Sequence, residues 1–262
     1  RDIMVIARSE EDVHVVTANV SGAGIAGVGG AAGVAVIEGE TLAYIHAGAD
    51  LWAGRDIIVL AYNDGIINID TLGGSGGEVA GVGGAVSVGV ITHTTKAYVE
   101  NAANLANGAI LYAARTIDIK AESKEKIIGI AVCGAGGGAA GVAGAVVVKV
   151  VNTTTQAYIG NYAQVNQVNY SGINENQTVK VTAIDTVDVT GTGGSGTVSG
   201  VAGVGASVDV TVIRNTVTAY IGDYAQVRAY RNNSDAQPAG NIIVEARSNK
   251  IVESYVIGAS GG

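Results

Sequence analysis

A block of twenty residues occurs four times in this chain without an internal insertion or deletion. The copies are AGVGGAAGVAVIEGETLAYI (26–45), AGVGGAVSVGVITHTTKAYV (80–99), AGVAGAVVVKVVNTTTQAYI (140–159) and AGVGASVDVTVIRNTVTAYI (202–221). Their tyrosines Tyr44, Tyr98, Tyr158 and Tyr220 stand 54, 60 and 62 residues apart. A fixed period on this scale marks a stacked repeat, in which one supersecondary unit buries its apolar face only against copies of itself.

The repeat runs the whole length, so 1–262 is expected to be a single continuous body. Its units are approximately 1–55, 56–115, 116–177 and 178–240, with a partial unit at 241–262. Each opens on a short alternating run: DIMVIA (2–7), DIIVLA (56–61), TIDIKA (116–121), TVKVTA (178–183) and NIIVEA (241–246). The inward set of these runs is Ile3, Ile57, Ile117, Val179 and Ile242, then Val5, Val59, Ile119, Val181 and Val244, then Ala7, Ala61, Ala121, Ala183 and Ala246. Alternation with β-branched residues predicts strand, and free variation between them predicts a face in water.

Short polar turns (RSEED, YNDG, ESKEK, IDT, RSNK) are expected next, then a second strand running into the glycine block. Beyond the block, Val34, Val36, Val88, Val90, Val148, Val150, Val210 and Val212 are read as the inward ladder, with Ser87, Lys149, Asp209 and Thr211 on the half-exposed side. A third run surrounds the Ala-Tyr pair. It ends in a small-x-aliphatic step: Ala49 and Leu51, Ala103 and Leu105, Ala163 and Val165, Ala225 and Val227. Tandem strands without hairpin signals predict an all-β, right-handed parallel β-solenoid of four repeats of about sixty residues. Two geometries fit. Each unit is either three coils of ordinary size, giving a rod of roughly 60 Å, or one wide rung, giving a block of roughly 20 Å, at about 4.8 Å per coil. Ordinary coil size favours the rod.

The 40 glycines each cost roughly 0.5–1 kcal/mol of extra chain entropy relative to Ala, so they must allow something other residues cannot. Close approach of neighbouring backbone, or a sharp bend, is the expected use. A phosphate cradle would need a following helix and a GK[ST], and a calcium-binding nonapeptide would need an Asp after GGxG. GGSGGEVAG and GGSGTVSGV have neither. The single proline, Pro238, agrees with a strand-rich chain, because proline cannot donate to a ladder.

Fifteen basic against twenty-three acidic residues give a formal charge of −8, with no basic stripe, so nucleic acid is not an expected partner. The uncharged stretch 127–148 is long enough for a membrane span, but it is rich in glycine, and the matching stretch of the preceding unit carries Asp70 and Glu78. No membrane span is expected. Cys133 reads as a buried small hydrophobe. His14, His46 and His93 occupy different places in the repeat, and no acid or thiol recurs beside them at ligand spacing. The acids Asp64, Asp70, Glu78, Glu100, Asp118 and Glu122 fall in different columns, and no GxSxG elbow is present. No catalytic, cofactor-binding or metal-ligating residue is assigned, and no cofactor is expected.

Unit length is expected to vary in one place, after the small-x-aliphatic step. The third and fourth units carry loops there at 166–177 and 228–240, with Tyr170, Tyr230, Arg228, Arg231 and several asparagines. Asn169, Asn176 and Asn232 lie in N-x-[ST] sequences. Solenoid insertions emerge on one face, which is often the binding face, so these loops are the expected contact for a glycan or a host-surface protein.

The repeated AGVAGAVVVKVVNTTTQAYIG and AGVGGAVSVGVITHTTKAYV resemble the repeats of giant bacterial surface exoproteins, the leukotoxin-type filamentous adhesins and haemagglutinin-like exoproteins. The resemblance covers all four units and rests on low-complexity Gly, Ala and Val. It implies a β-helical stalk at the bacterial cell surface; a start inside the strand-like DIMVIA and a stop inside the Gly-rich GASGG lead to the expectation of a fragment of a longer repetitive protein. The expected function is a non-enzymatic extracellular structural scaffold, a stalk segment of a large adhesin. Two alternatives are kept: a subunit of an extracellular fibre or sheath that self-associates through uncapped solenoid ends, whose strand edges template pairing, and a β-helix polysaccharide-active enzyme.

Overall fold

The computed structural model describes residues 1–167, 176–230 and 240–262. Each unit contributes two very long strands and one short one, and like strands stack in parallel on like strands. Sheet A is built of β1 (Ile3–Ala23), β4 (Asp56–Gly77), β7 (Thr116–Gly137), β10 (Thr178–Ser199) and β13 (Asn241–Gly261). Sheet B is built of β2 (Ala26–Ile45), β5 (Ala80–Val99), β8 (Ala140–Ile159) and β11 (Ala202–Ile221). Sheet C, the shortest, holds β3 (Asp50–Ala53), β6 (Ile110–Ala113), β9 (Gln164–Val165) and β12 (Gln226–Val227). The fold is a parallel β-solenoid.

The register decides between the two geometries. Ile3 pairs with Ile57, Ile57 with Ile117, Ile117 with Val179 and Val179 with Ile242, so one unit is one rung. The three-coil rod is therefore wrong. The polar runs taken for turns lie inside strands: Arg8 to Asp12 pairs residue for residue with Tyr62 to Ile66. With no break there, a strand of 21 residues reaches roughly 70 Å at about 3.3 Å per residue, while five stacked strands rise only about 19 Å. The body is a wide, low block.

Within a rung the chain runs out along sheet A, turns in two residues (24–25, 78–79, 138–139, 200–201), and returns along sheet B facing it. Sheet C closes the other end. The cross-section tapers, and side-chain size follows it. At the wide end Ile57, Val59, Ile117, Ile119, Ile159 and Leu111 form one core with the alanines Ala61, Ala97 and Ala157. A second core of Ile67, Ile69, Ile91, Ile127 and Val151 follows. A third holds only small groups and Val147: Ala85, Ala131, Cys133, Ala143 and Ala145. Toward the corner the inward columns hold glycine and other small residues, among them Cys133, Ala143, Ser195 and Ser199. A Cβ on Gly27 would stand 2.1 Å from the Gly76 carbonyl oxygen, and one on Gly73 would stand 2.1 Å from that of Gly84. The glycine block thus lets the two sheets touch backbone to backbone, as close approach requires.

This taper inverts one expected ladder. Val34, Val36 and Val210 point to solvent at 60%, 57% and 41% exposure, while Ala35, Ser87, Val147 and Lys149 are buried. Nearest the corner the inward positions are alanines such as Ala85, Ala143 and Ala145, and farther in Val147 and the Lys149–Asp209 pair fill the gap, so the valines of the other parity lie outside. The inward set of the opening runs stands as expected on the inner rungs, with Ile57, Val59, Ala61, Ile117, Val179 and Val181 at 0% exposure, while on the end strand β13 Ile242, Val244 and Ala246 are exposed.

Two positions in the third run also differ. Leu51 pairs with Leu111, which pairs with Val165, so Ala109 and Leu111 fill the step in the second unit. Ala103 and Leu105 instead belong to an insertion before β6. It folds as the 3-10 turn Leu105–Asn107, with Asn104 Oδ1 accepting from Asn107 N at 3.1 Å and Leu105 41% exposed. Unit length therefore varies at two corners rather than one.

Candidate functional site on the outer faces

Between the first two cores runs a belt of buried polar groups joining sheet A to sheet B. In the third rung Ser123 Oγ and Asn63 Nδ2 donate to Glu125 Oε1 at 2.7 and 2.8 Å, and Thr95 Oγ1 donates to Ser123 Oγ at 3.3 Å. In the fourth, Thr153, Thr155 and Asn215 all donate to the Asp185 carboxylate, at 2.9, 3.1 and 2.9 Å. Thr41 Oγ1 lies 3.0 Å from His93 Nε2. Burial pushes the Glu125 carboxyl up to about 8, against the hydrogen bonds from Ser123 and Asn63, and burial pushes His93 below its usual range.

Two acids and a histidine in a row would suit catalysis, but Glu125, His93 and Asp185 are at most 2% exposed. Their partners are interior Ser, Thr and Asn side chains, and the bonds of Ser123 to Thr95 and of Asp185 to Thr153, Thr155 and Asn215 tie one sheet to the other. Farther toward the corner Lys149 Nζ lies 2.6 Å from Asp209 Oδ1, with the side chains 0% and 1% exposed. Gly191 makes room for this pair, since a Cβ there would sit 1.8 Å from Lys149 Nζ.

The three histidines stay apart. His14 faces Asp70 at 3.3 Å on the outside of sheet A, His46 meets Glu100 at 3.0 Å at a corner, and His93 is interior. Among the described residues no group of three or more His, Cys, Asp or Glu could hold a metal ion. Cys133 is 1% exposed, and burial pushes its thiol up. The stretch 127–148 crosses the corner from β7 to β8, and no described helix is long and apolar enough to cross a membrane.

Chemistry toward other molecules therefore falls on the outside. On sheet A the register brings Glu10, Glu11, Asp12 and Asp64 around a shallow groove of about 310 Å³. Columnar pairing of Glu10 with Asp64 makes this concentration, which sequence spacing hides. Of the acids noted from the sequence, Glu122 is engaged by Lys120 and Lys124, and Glu100 by His46 and the Ala47 N–H. On sheet B, Tyr44, Tyr98, Tyr158 and Tyr220 form a continuous outer stack with ring centroids 4.9–5.1 Å apart. Their ring faces are covered by one another, so the stack offers edges and hydroxyls.

The sheet C corner carries a second stack. Tyr162 and Tyr224 lie 5.0 Å apart, both at positive φ (59° and 57°), where non-glycine residues are uncommon. Gly48, just before the Ala49 that aligns with Ala163, takes the same conformation at φ 76°. With Leu105, Ala225 and Gln226 these tyrosines line a groove of about 390 Å³. The strained backbone aims two aromatic rings outward at the corner from which the loops leave, a feature the sequence gives no signal for beyond the repeated GNYAQV and GDYAQV.

Of the expected loop residues, Arg228 is exposed and donates to the Gln167 carbonyl at 3.2 Å. Tyr230 is corrected from contact residue to anchor. It is 4% exposed, its N–H donates to Gln177 Oε1 at 2.9 Å, and its carbonyl accepts from Gln177 N at 2.8 Å. Asn176 is exposed. Tyr170, Arg231, Asn169 and Asn232 lie outside the described residues. Against protein-family models, curated proteins and solved structures, the chain finds no match.

Proposed function

We propose that this chain is a segment of a non-enzymatic extracellular scaffold, the stalk of a large bacterial surface adhesin. The observation that carries the reading is the unbroken register of the long strands, from Ile3 to Ala23 and at every later rung. Such a body gains rigidity from each added rung, because every rung buries its neighbour's inward columns. Its interior ionisable groups are buried among hydrogen-bond partners inside the body, and Asp185 ties sheet A to sheet B. What varies is placed outside and at the corners, which suits a spacer that displays surface.

Contact with a glycan or host-surface protein is assigned to the sheet C corner, where the Tyr162 and Tyr224 rings and Arg228 stand beside the chain segments 166–177 and 228–240. The reading is tested by antibodies against this chain applied to intact cells of the source organism. Label at and beyond the cell envelope is expected, together with no turnover of a polysaccharide panel. Label that appears only after permeabilisation, or hydrolysis of any polysaccharide, would contradict it.

A further inference from the structure

On the outer face of sheet B, between the glycine corner and the column headed by Glu38, stand five neighbouring columns that begin at Val28, Gly30, Ala32, Val34 and Val36. Every position in them, on all four strands, is Val, Ala or Gly. They face solvent: Val28 is 72% exposed, and on the inner strands Val82 and Val142 are still 44% and 45% exposed. With about 6.7 Å between columns and about 4.8 Å between strands, this plate measures roughly 600 Å². A contiguous apolar patch of that size marks a surface that another molecule covers.

The column beside the plate indicates which molecule. It reads Glu38, Thr92, Asn152, Arg214, so its two charges sit at opposite ends of the stack. Among the described residues neither Glu38 nor Arg214 has an ion-pair partner in its own chain. We propose that a second copy of this chain packs face to face on the plate, about a two-fold axis parallel to the strands. That axis reverses the order of the strands and keeps the order of the columns. Valine columns then meet valine columns, and Glu38 of each copy meets Arg214 of the other.

The contact is self-complementary, as a closed two-fold interface must be. Two plates bury about 1,200 Å², the lower bound for a stable specific interface. An uncharged centre with a polar column at its side has the anatomy of such interfaces. A closed dimer of this kind differs from pairing through strand edges, which is open-ended.

The test is sedimentation equilibrium of the whole chain at about 100 µM, well above the dissociation constant of a micromolar dimer. A mass twice the 26.1 kDa of the chain is expected. Glu38→Arg, which sets arginine against arginine, is expected to give monomer, and adding Arg214→Glu to it to restore the dimer. Val148→Glu, an outward change in the middle of the plate, is expected to give monomer with an unchanged far-ultraviolet spectrum. Should Val148→Glu fail to fold, the exposed Glu38 and Arg214 pair carries the test alone. A wild-type monomer overturns the proposal. So does a dimer indifferent to Glu38→Arg, a series of growing oligomers, or a chain that stays monomeric and binds neutral phosphatidylcholine vesicles through Val148.

Discussion

Glu125 stands in a column with Glu11 below it and Gly65 between them, and its carboxyl leans over Gly65: a Cβ there would lie 2.6 Å from Oε2. Burial holds its titration near 8, above the 4.5 of a free glutamic acid. Between those two values the folded chain keeps a proton that the unfolded chain has lost. Stability from this group is therefore whole below about pH 4.5, falls as pH rises, and is gone above about 8. The swing is on the order of 5 kcal/mol. Glu125→Gln, which keeps the shape and cannot ionise, is expected to flatten the fall seen by urea denaturation between pH 5 and 8 (roughly the interval between the two states' titrations); an unchanged slope would refute a buried, protonated Glu125. Lys149 and Asp209 present the opposite case, two charges buried as a pair. Lys149→Met or Asp209→Leu alone is expected to cost about 3–5 kcal/mol, because each strands a charge, while the double variant recovers most of the loss. Additive losses in a double-mutant cycle would mean the two do not form a pair.

At the scale of the strand, the sheet B alternation settles which parity is inside, and neighbouring residues separate the two readings. Val147 is fully buried and Val148 faces out. Val147→Ala is expected to cost about 2 kcal/mol and Val148→Ala under about 0.5 kcal/mol. Equal costs would place both inside. Strand type and the inward face of the opening runs were legible in the sequence, because Ile57, Val59 and their column mates stay β-branched from unit to unit while the alternates vary among Met, Ile, Leu, Asp, Lys, Thr and Glu. In sheet B the inward parity includes Ser87, Lys149, Asp209 and Thr211 while the outward one is valine-rich, so hydrophobicity alone favours the wrong set. The deciding fact is the narrowing gap, which only the facing strand supplies: opposite Gly81 lies the Gly136 carbonyl, and opposite Gly83 the Cys133 sulfur. The polar belt was hidden for a related reason. Ser9, Glu11, Asn63, Ser123 and Glu125 read as turn residues, yet their inward side chains bond along sheet A, Ser9 to Glu11 and Asn63 and Ser123 to Glu125, while Thr95 of the facing sheet donates to Ser123 and Thr153 to Asp185. Polar residues inside a strand are tolerated when a facing strand satisfies them.

For the whole molecule, the account turns on one unit being one rung. The coil of ordinary size was the natural expectation, because a strand of more than twenty residues is rare, and the polar runs gave plausible places to break it. What keeps the strand unbroken is that those runs are bonded on the inside and paired rung to rung along the backbone. The same width gives sheet B its uncharged plate. Nitroxide labels at Asp12 and Asp188, on the outer face of sheet A in a Cys133→Ala background, measure the number of rungs between them directly. The two positions share a column through Ile66 and Lys126. One rung per unit puts their backbones three spacings apart, about 14 Å, whereas three coils per unit would put them about 43 Å apart. A double electron–electron resonance distance below about 25 Å, allowing for label arms on a 4.8 Å ladder, is the expected result; a distribution centred near 43 Å would contradict the wide-rung solenoid.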